Sequence, residues 1–354
     1  MRLQLILGLL AVAAVPARAD TAFGSKLQVY TDNDHTTVVS PVVTAEADVT
    51  TDTNVSIGYL VDAVSSASVD VVSQASPKTF HDTRHQVSLG MSHRFDTITP
   101  RIGYSLSMED DYLSHTLSLN ATDELNDKNT QLGIGYGVSI NRVGRAEDDN
   151  FSRPLTVHHV AASWTQTMSP KVAGQLTYEI SYSDGYQASP YRFVPIRQAA
   201  DAVPEFWVPE TDPDTRWRHA LVVGANAAVG DASSLQGDYR IYRDTWGITS
   251  HTLGARYFMS LAKHVELRLR ERFYTQNAAS FYQSVYMAPA RYIVYDRELS
   301  PMWSETLGAK LTVGFGDRVE AELKLDGFYY SYADFVPLRS RTGANVGLGV
   351  SLAY

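Results

Sequence analysis

The chain has 354 residues and a formal net charge of -9, from 30 Lys+Arg against 39 Asp+Glu, so it lacks the basic footprint of a nucleic-acid binder. It has no cysteine, which excludes disulfides, thiolate metal sites, Cys nucleophiles and a lipid-modified N-terminal cysteine. At 44% hydrophobic residues its average resembles that of a soluble protein, and no run of about 20 apolar residues follows the N-terminus, which excludes a polytopic helical membrane protein.

The first element is an export signal. Arg2 supplies a positive start, Leu3 to Val15 is apolar and too short to span a membrane, Pro16 breaks it, and Ala17-Arg18-Ala19 fits an A-x-A cleavage site. Cleavage after Ala19 leaves residues 20–354, and loss of Arg2 and Arg18 takes the net charge from -9 to -11. The mature chain is expected beyond the inner membrane of a Gram-negative bacterium.

From there on the dominant period is two. In the last segment Ala344, Val346, Leu348, Val350, Leu352 and Tyr354 are apolar, while Gly343, Asn345, Gly347, Gly349, Ser351 and Ala353 are small or polar. A strand with one greasy and one polar face reads this way. In chain order the predicted strand cores are 26–31, 37–49, 54–63, 83–95, 98–109, 112–122, 128–140, 155–168, 171–183, 216–229, 233–243, 248–261, 264–275, 302–315, 318–331 and 343–354. Most have the length of about 10 residues that crosses a bilayer at a tilt.

Connections of two kinds separate them. Thr51 to Thr53, Asp96-Thr97, Ser169-Pro170, Gly230-Asp231, Ala262-Lys263 and Gly316-Asp317 are short, whereas 64–82, 141–154, 184–215, 276–301 and 332–342 are long. Short turns at one end and long loops at the other predict a single all-β antiparallel barrel of the outer membrane over 20–354. Sixteen strands put both termini at the periplasmic end; fourteen is compatible with the short, ragged first segment. A soluble β-sandwich is the competing fold, but its strands usually run about 5–6 residues.

Aromatics gather near strand ends: Phe95, Tyr112, Trp164, Tyr182, Trp217, Trp246, Phe315, Tyr329 and Tyr330. They suit interfacial girdles against outer-membrane lipid and lipopolysaccharide. Tyr354, closing an alternating strand, resembles the terminal aromatic read by the outer-membrane assembly machinery.

If the apolar face meets lipid, the other face lines a lumen. Arg216, Arg218, Arg240, Arg256, Arg268, Arg270 and Arg272 fall on it in the 216–272 region. Glu46, Asp48, Asp62, Glu320, Glu322 and Asp326 fall on it in the early and late strands. Closure would set an acidic wall roughly opposite an arginine wall. Two readings stay open. One is a transverse field selecting charged or dipolar solutes in a water-filled pore; the other is charges that pair across neighbouring strands and fill the lumen. Glu271 and Glu305 break the pattern by falling on the outward face. A bulge, a protonated pair and a subunit interface are open explanations, and a register error is favoured over them.

Catalytic motifs are missing: no G-x-S-x-G, H-E-x-x-H, P-loop or GxGxxG in context. His85, His93, His115, His158, His219 and His251 fall on the lipid face, and none stands beside an outward Ser as a lipase would require. Asp34-His35 and His81-Asp82 sit in loops that suit a barrel protease, but adjacent pairs of this kind arise often by chance. Glu109-Asp110-Asp111 and Glu147-Asp148-Asp149 could bind divalent cations bridging lipopolysaccharide, although solvation of a loop explains such clusters more simply. No enzyme activity, cofactor or metal is expected.

Two stretches carry a family resemblance. Tyr59 to Ser73, with Asp62, Ser65, Ser68, Asp70 and Ser73, and Ser183 to Arg192, with Asp184, Gly185, Tyr186, Ser189, Pro190, Tyr191 and Arg192, resemble the bacterial outer-membrane family named for domain of unknown function 3570. The resemblance covers most of the mature chain. It implies an envelope barrel without an assigned activity and carries no catalytic residues over. The expectation is a porin-like channel or transporter for a small charged or polar solute. The rivals are a plugged barrel that partners periplasmic, including redox, proteins, and then a barrel lipase or protease.

Overall fold

The structure, a computed structural model, describes residues 21–66, 80–146, 148–199 and 202–354. The export signal and its cleavage site, Ser68, Asp70, Ser73 and Glu147 lie outside the described residues.

Among the described residues eighteen strands form. They are β1 (Thr21–Asp32), β2 (Thr36–Thr50), β3 (Thr53–Ser66), β4 (Phe80–His93), β5 (Ile98–Met108), β6 (Tyr112–Leu125), β7 (Thr130–Val143), β8 (Arg153–Ser169), β9 (Val172–Gly185), β10 (Phe193–Ile196), β11 (Phe206–Pro209), β12 (Thr215–Ala228), β13 (Ser233–Asp244), β14 (Thr249–Ala262), β15 (Val265–Gln276), β16 (Met302–Phe315), β17 (Val319–Tyr332) and β18 (Ser340–Ala353). All but β10 and β11 close into one antiparallel barrel, β18 pairing back onto β1 from Ala22↔Ala353 to Asp32↔Gly343. The barrel strands are the sixteen of the sequence reading, with ends shifted by a few residues. The β10–β11 hairpin inside 184–215 was not expected.

Barrel closure is what lets these strands exist in lipid, because each backbone N–H and C=O finds a partner on a neighbouring strand and no edge is left. The outward face is the apolar one. Ile57, Leu89, Ile134, Ile140, Val223, Leu253, Leu307 and Leu348 each keep half or more of their surface accessible, a band too large and too greasy to face water.

Turns at the periplasmic end are tight. Gly316 adopts φ 68° in the β16–β17 turn, a conformation that costs a residue with a Cβ more than it costs glycine. Register shifts at Asp48/Thr50, Thr167/Ser169 and Ser260/Ala262 all fall at this end, where bulges let hairpins turn without disturbing the membrane-embedded ladder.

The girdle assignment needs correction in three places. Phe95, Trp164, Trp217, Phe315 and Tyr329 are outward and exposed. Trp246 is buried among loop residues, Tyr330 lines an internal cavity, and Tyr112 shares the inward alternation of Ser114. Glu271 and Glu305 are outward by a continuous β15–β16 register, with Glu271↔Leu307 and Phe273↔Glu305, so a register error does not explain them. Tyr354 sits at the periplasmic seam, exchanging backbone hydrogen bonds with Thr21 at 2.9 and 3.3 Å.

Candidate functional site

Long loops at the extracellular end do not hang free. Three apolar clusters draw them together: Trp246, Ile248, Ala279, Val294 and Leu299; Val194, Ile196, Tyr286 and Ile293; Met302, Tyr332 and Phe335. Bridges Ile196↔Tyr286 and Thr211↔Ile293 join the β10–β11 hairpin to the 277–301 loop. Buried Arg297 pairs with buried Asp34 of the β1–β2 turn, fastening that loop to the barrel's first hairpin. Burying apolar side chains in a loop layer is what holds it as a cap over the mouth.

The second family-like stretch is a fastening for this cap. Tyr186 N donates to Pro154 O at 2.9 Å, and its ring meets Phe151 edge-on at 5.5 Å. Ser189 N donates to Glu210 at 3.3 Å. The Tyr191 hydroxyl donates to Asp111 and accepts from Ala146 N at 2.6 Å. Arg192 pairs with Asp296 at 2.7 Å and Glu210 at 3.6 Å.

Gly185 has φ 120°, and a Cβ there would strike the Pro154 carbonyl. Gly185→Ala is therefore expected to destabilise the loop by about 1–3 kcal/mol. Faster amide exchange at Tyr186, with barrel amides unchanged, is the measurement that checks it.

Beneath the cap lies a cavity of about 620 Å³, lined among others by Arg216, Arg218, Arg240, Arg272, Asp212, Asp296, Glu298, Tyr242, Tyr274 and Trp246. Its arginines are not equivalent. Arg216 bonds Asp244 through Nε at 2.9 Å and lies over the Trp246 ring at 4.1 Å. Arg240 is 3.7 Å from Glu179. Arg218 donates to Ser183 at 2.6 Å and Gln187 at 3.5 Å, and Arg272 lies 5.4 Å over Tyr274; neither has a carboxylate partner among the described residues.

Asp212 is pushed up to about 7, first by burial and then by the charges of Glu210 and Asp296, so part of the cavity's negative charge is neutralised near pH 7. Glu210 is pushed up to about 6 by burial, against the pull of Arg192.

The remaining inward charges pair extensively. Asp62 binds Arg84, Arg256 binds Asp238 at 2.8 Å, and Arg270 binds Asp326 at 2.8 Å. Glu322 takes Lys26 at 2.9 Å and Lys310 at 3.1 Å; Asp326 also takes Lys324 at 3.0 Å. Arg268 has no ion pair and a buried Nε without a hydrogen-bond partner among the described residues. Asp48 accepts from Asn54 at 2.9 Å.

The wall-against-wall picture also changes. Only β16 separates the arginine strands from β17, so the two sectors adjoin, and Arg270–Asp326 ties them together. Segregation runs along the axis as well. Arg216, Arg218, Arg240 and Arg272 are in the extracellular half, whereas Glu46, Asp48 and Glu320 lie near the periplasmic turns. Strand-by-strand counting lost this because successive strands run in opposite directions.

Asp82, Glu109 and Asp111 bring carboxylate oxygens within 4.8 Å of one another at the extracellular rim. Burial and then Asp82 push Glu109 up to about 7. A raised carboxyl pKa adds stability below about pH 4.5 that is lost as pH rises through about 7. Amide exchange at Gly144, whose N donates to Asp111 O at 2.5 Å, is expected to accelerate between pH 6 and 8 beyond its intrinsic pH dependence, and Glu109→Gln is expected to abolish the excess. Asp34, one of the rim acids, is engaged by Arg297.

Sequence reasoning missed Asp212, Glu210, Asp296 and Glu298. They lie in loops without period, and only the cap's folding brings them to the strand arginines.

Comparison with solved structures finds similar barrels of the outer membrane. A bacterial polysaccharide outer membrane secretin aligns with TM-score 0.52 and 8% identity over 95% of this chain and 98% of that one. A loop-deleted OmpT of Vibrio cholerae gives 0.45 at 9% identity, over 95% and 99%. The siderophore receptor PirA of Pseudomonas aeruginosa gives 0.45 at 10%, over 90% of this chain and 57% of the receptor. At 8% identity the likeness to the secretin is one of fold alone. Among curated proteins no sequence matches. A family model described as "Protein of unknown function (DUF3570)" matches residues 66–154 and 145–343. That is most of the chain, and the protein, a closed sixteen-stranded outer-membrane-type barrel, belongs to this family.

Proposed function

We propose that this protein is an outer-membrane channel or transporter that admits a small anionic solute through a capped extracellular vestibule. The observation that carries the reading is the cavity of about 620 Å³ in which Arg218 and Arg272 have no carboxylate partner among the described residues. A guanidinium held in a concave, partly desolvated site without a counter-charge favours an incoming carboxylate or phosphate. The partly neutralised Asp212 shifts the balance the same way.

The lumen below supports passage. Side chains of Lys26, Arg84 and Arg256, all inward, remain 51%, 39% and 38% accessible, and a sixteen-strand barrel is wide enough for an aqueous channel. Export of the precursor and residence in the outer membrane of a Gram-negative cell belong to this reading.

Planar-bilayer recording tests it. The expected result is conductance steps whose reversal potential in a salt gradient favours the anion. A correctly folded barrel without steps would favour the rival, a closed barrel serving periplasmic proteins, for which the tightly packed cap is the supporting feature.

A further inference from the structure

The lipid-facing surface carries a repeated polar device that the vestibule does not use. Tyr59 and His85, Tyr104 and His115, Tyr136 and His158, Tyr178 and His219, and Tyr239 and His251 place the tyrosine Oη 2.8, 2.8, 2.8, 2.7 and 2.6 Å from the imidazole Nδ1.

Their construction is the same each time. The tyrosine is on an ascending strand and the histidine on its descending neighbour, opposite the residue two beyond the tyrosine: Val61↔His85, Leu106↔His115, Val138↔His158, Ile180↔His219 and Ile241↔His251. All five histidines fall within the first six residues of their strands, at the extracellular end. Near the periplasmic end the outward His93 bonds Thr53 instead, at 2.8 Å.

A hydroxyl facing an imidazole nitrogen shares one proton between them. Whichever tautomer holds, one N–H or O–H of each pair is left to donate outward. Hydrocarbon supplies no acceptor, so an unmet donor there is strongly disfavoured. Five such donors at one level therefore mark the depth at which lipid headgroups begin.

Charge completes the pattern. Arg142 and Arg243 stand on the same outward face at the extracellular ends of β7 and β13, exposed and without an ion pair among the described residues. Arg243 lies opposite His219, and Arg142 opposite Pro154, four residues before His158.

We infer that this girdle of Tyr–His pairs, with Arg142 and Arg243, binds the phosphate groups of the outer-leaflet glycolipid. The pairs donate to phosphate oxygens, and the two guanidiniums meet the charge. The phosphorylated glycolipid fits better than a phospholipid because the pairs occupy only the extracellular half. The assignment rests on the outer-membrane reading but not on conduction.

Native mass spectrometry of the full folded chain tests it, with diphosphoryl lipid A, dephosphorylated lipid A and phosphatidylglycerol as probes. Diphosphoryl lipid A is expected to be retained and its dephosphorylated form lost. The Arg142→Gln/Arg243→Gln variant is expected to bind about tenfold more weakly, a loss of one or two charge-assisted contacts. Replacing both members of all five pairs by Phe (Tyr→Phe and His→Phe), which keeps the aromatic belt but leaves no donor, should weaken it further. Equal retention of the dephosphorylated form, equal retention of phosphatidylglycerol, or wild-type retention by both variants overturns the proposal. If the five-pair variant does not fold, the arginine pair at exposed strand ends decides alone. Conductance unchanged in a variant that has lost lipid separates this site from the vestibule.

Discussion

Asp34→Ala is expected to release the extracellular cap while the barrel stays closed. Asp34 is 2% and Arg297 8% accessible, and the pair joins the 277–301 loop to the first hairpin. Removing one partner of a buried ion pair costs about 3–5 kcal/mol, and the half-exposed Glu298 at 3.9 Å replaces Asp34 only weakly. The barrel's own pairing, with β18 on β1, does not depend on this contact. Amide exchange at Ala279 and Leu299, which bond Leu299 O and Asp296 O at 2.9 and 3.1 Å, should rise by two orders of magnitude or more, since each 1.4 kcal/mol is about tenfold. Heat-dependent gel mobility, the signature of a closed barrel, should be unchanged. Unaltered exchange would show that the apolar clusters alone hold the cap. Within the channel reading, the same variant is expected to show longer open dwell times.

The second large effect concerns selectivity. Arg218→Gln/Arg272→Gln leaves a shorter but still polar, hydrogen-bonding side chain while removing the two vestibule charges that lack a carboxylate partner among the described residues. Charge-assisted contacts are worth about 1.5–3 kcal/mol each, so the anion-over-cation permeability ratio is expected to fall about tenfold or more. Arg256→Gln is the useful contrast, because Arg256 is already held by Asp238 at 2.8 Å and its loss should shift the ratio far less. A reversal potential that does not move in the double variant would take recognition away from the vestibule.

Much of the architecture was legible because a barrel writes it locally. Strand faces alternate residue by residue, so Leu132, Ile134, Tyr136, Val138 and Ile140 announce a lipid-facing strand without reference to any other part of the chain. Turn lengths then order the strands up and down. Where the local reading failed, the competing interaction was tertiary. Trp246 has the position of a girdle residue, yet the 277–301 loop folds over and buries it. Glu271 and Glu305 looked like a register error because charges avoid lipid, but the ladder is continuous through both. The five outward histidines of the Tyr–His pairs were visible from alternation. Their tyrosine partners were not, since those need the register between two strands.

The sequence by itself determined the fold: a period of two, turns of two lengths and the missing helical span leave one closed antiparallel sheet. A net charge of -9 said nothing of where the charges meet. Tertiary structure alone decided that Arg297 finds Asp34 across 263 positions, and that Arg218 and Arg272 have no carboxylate partner among the described residues under a loop cap. It also decided that five histidines each take a tyrosine at one level of the outer face. The reason is physical. Hydrophobic alternation acts along a strand and is encoded locally, whereas ion pairing and cavity formation depend on strand height, register and loop packing, which exist only after the sheet has closed.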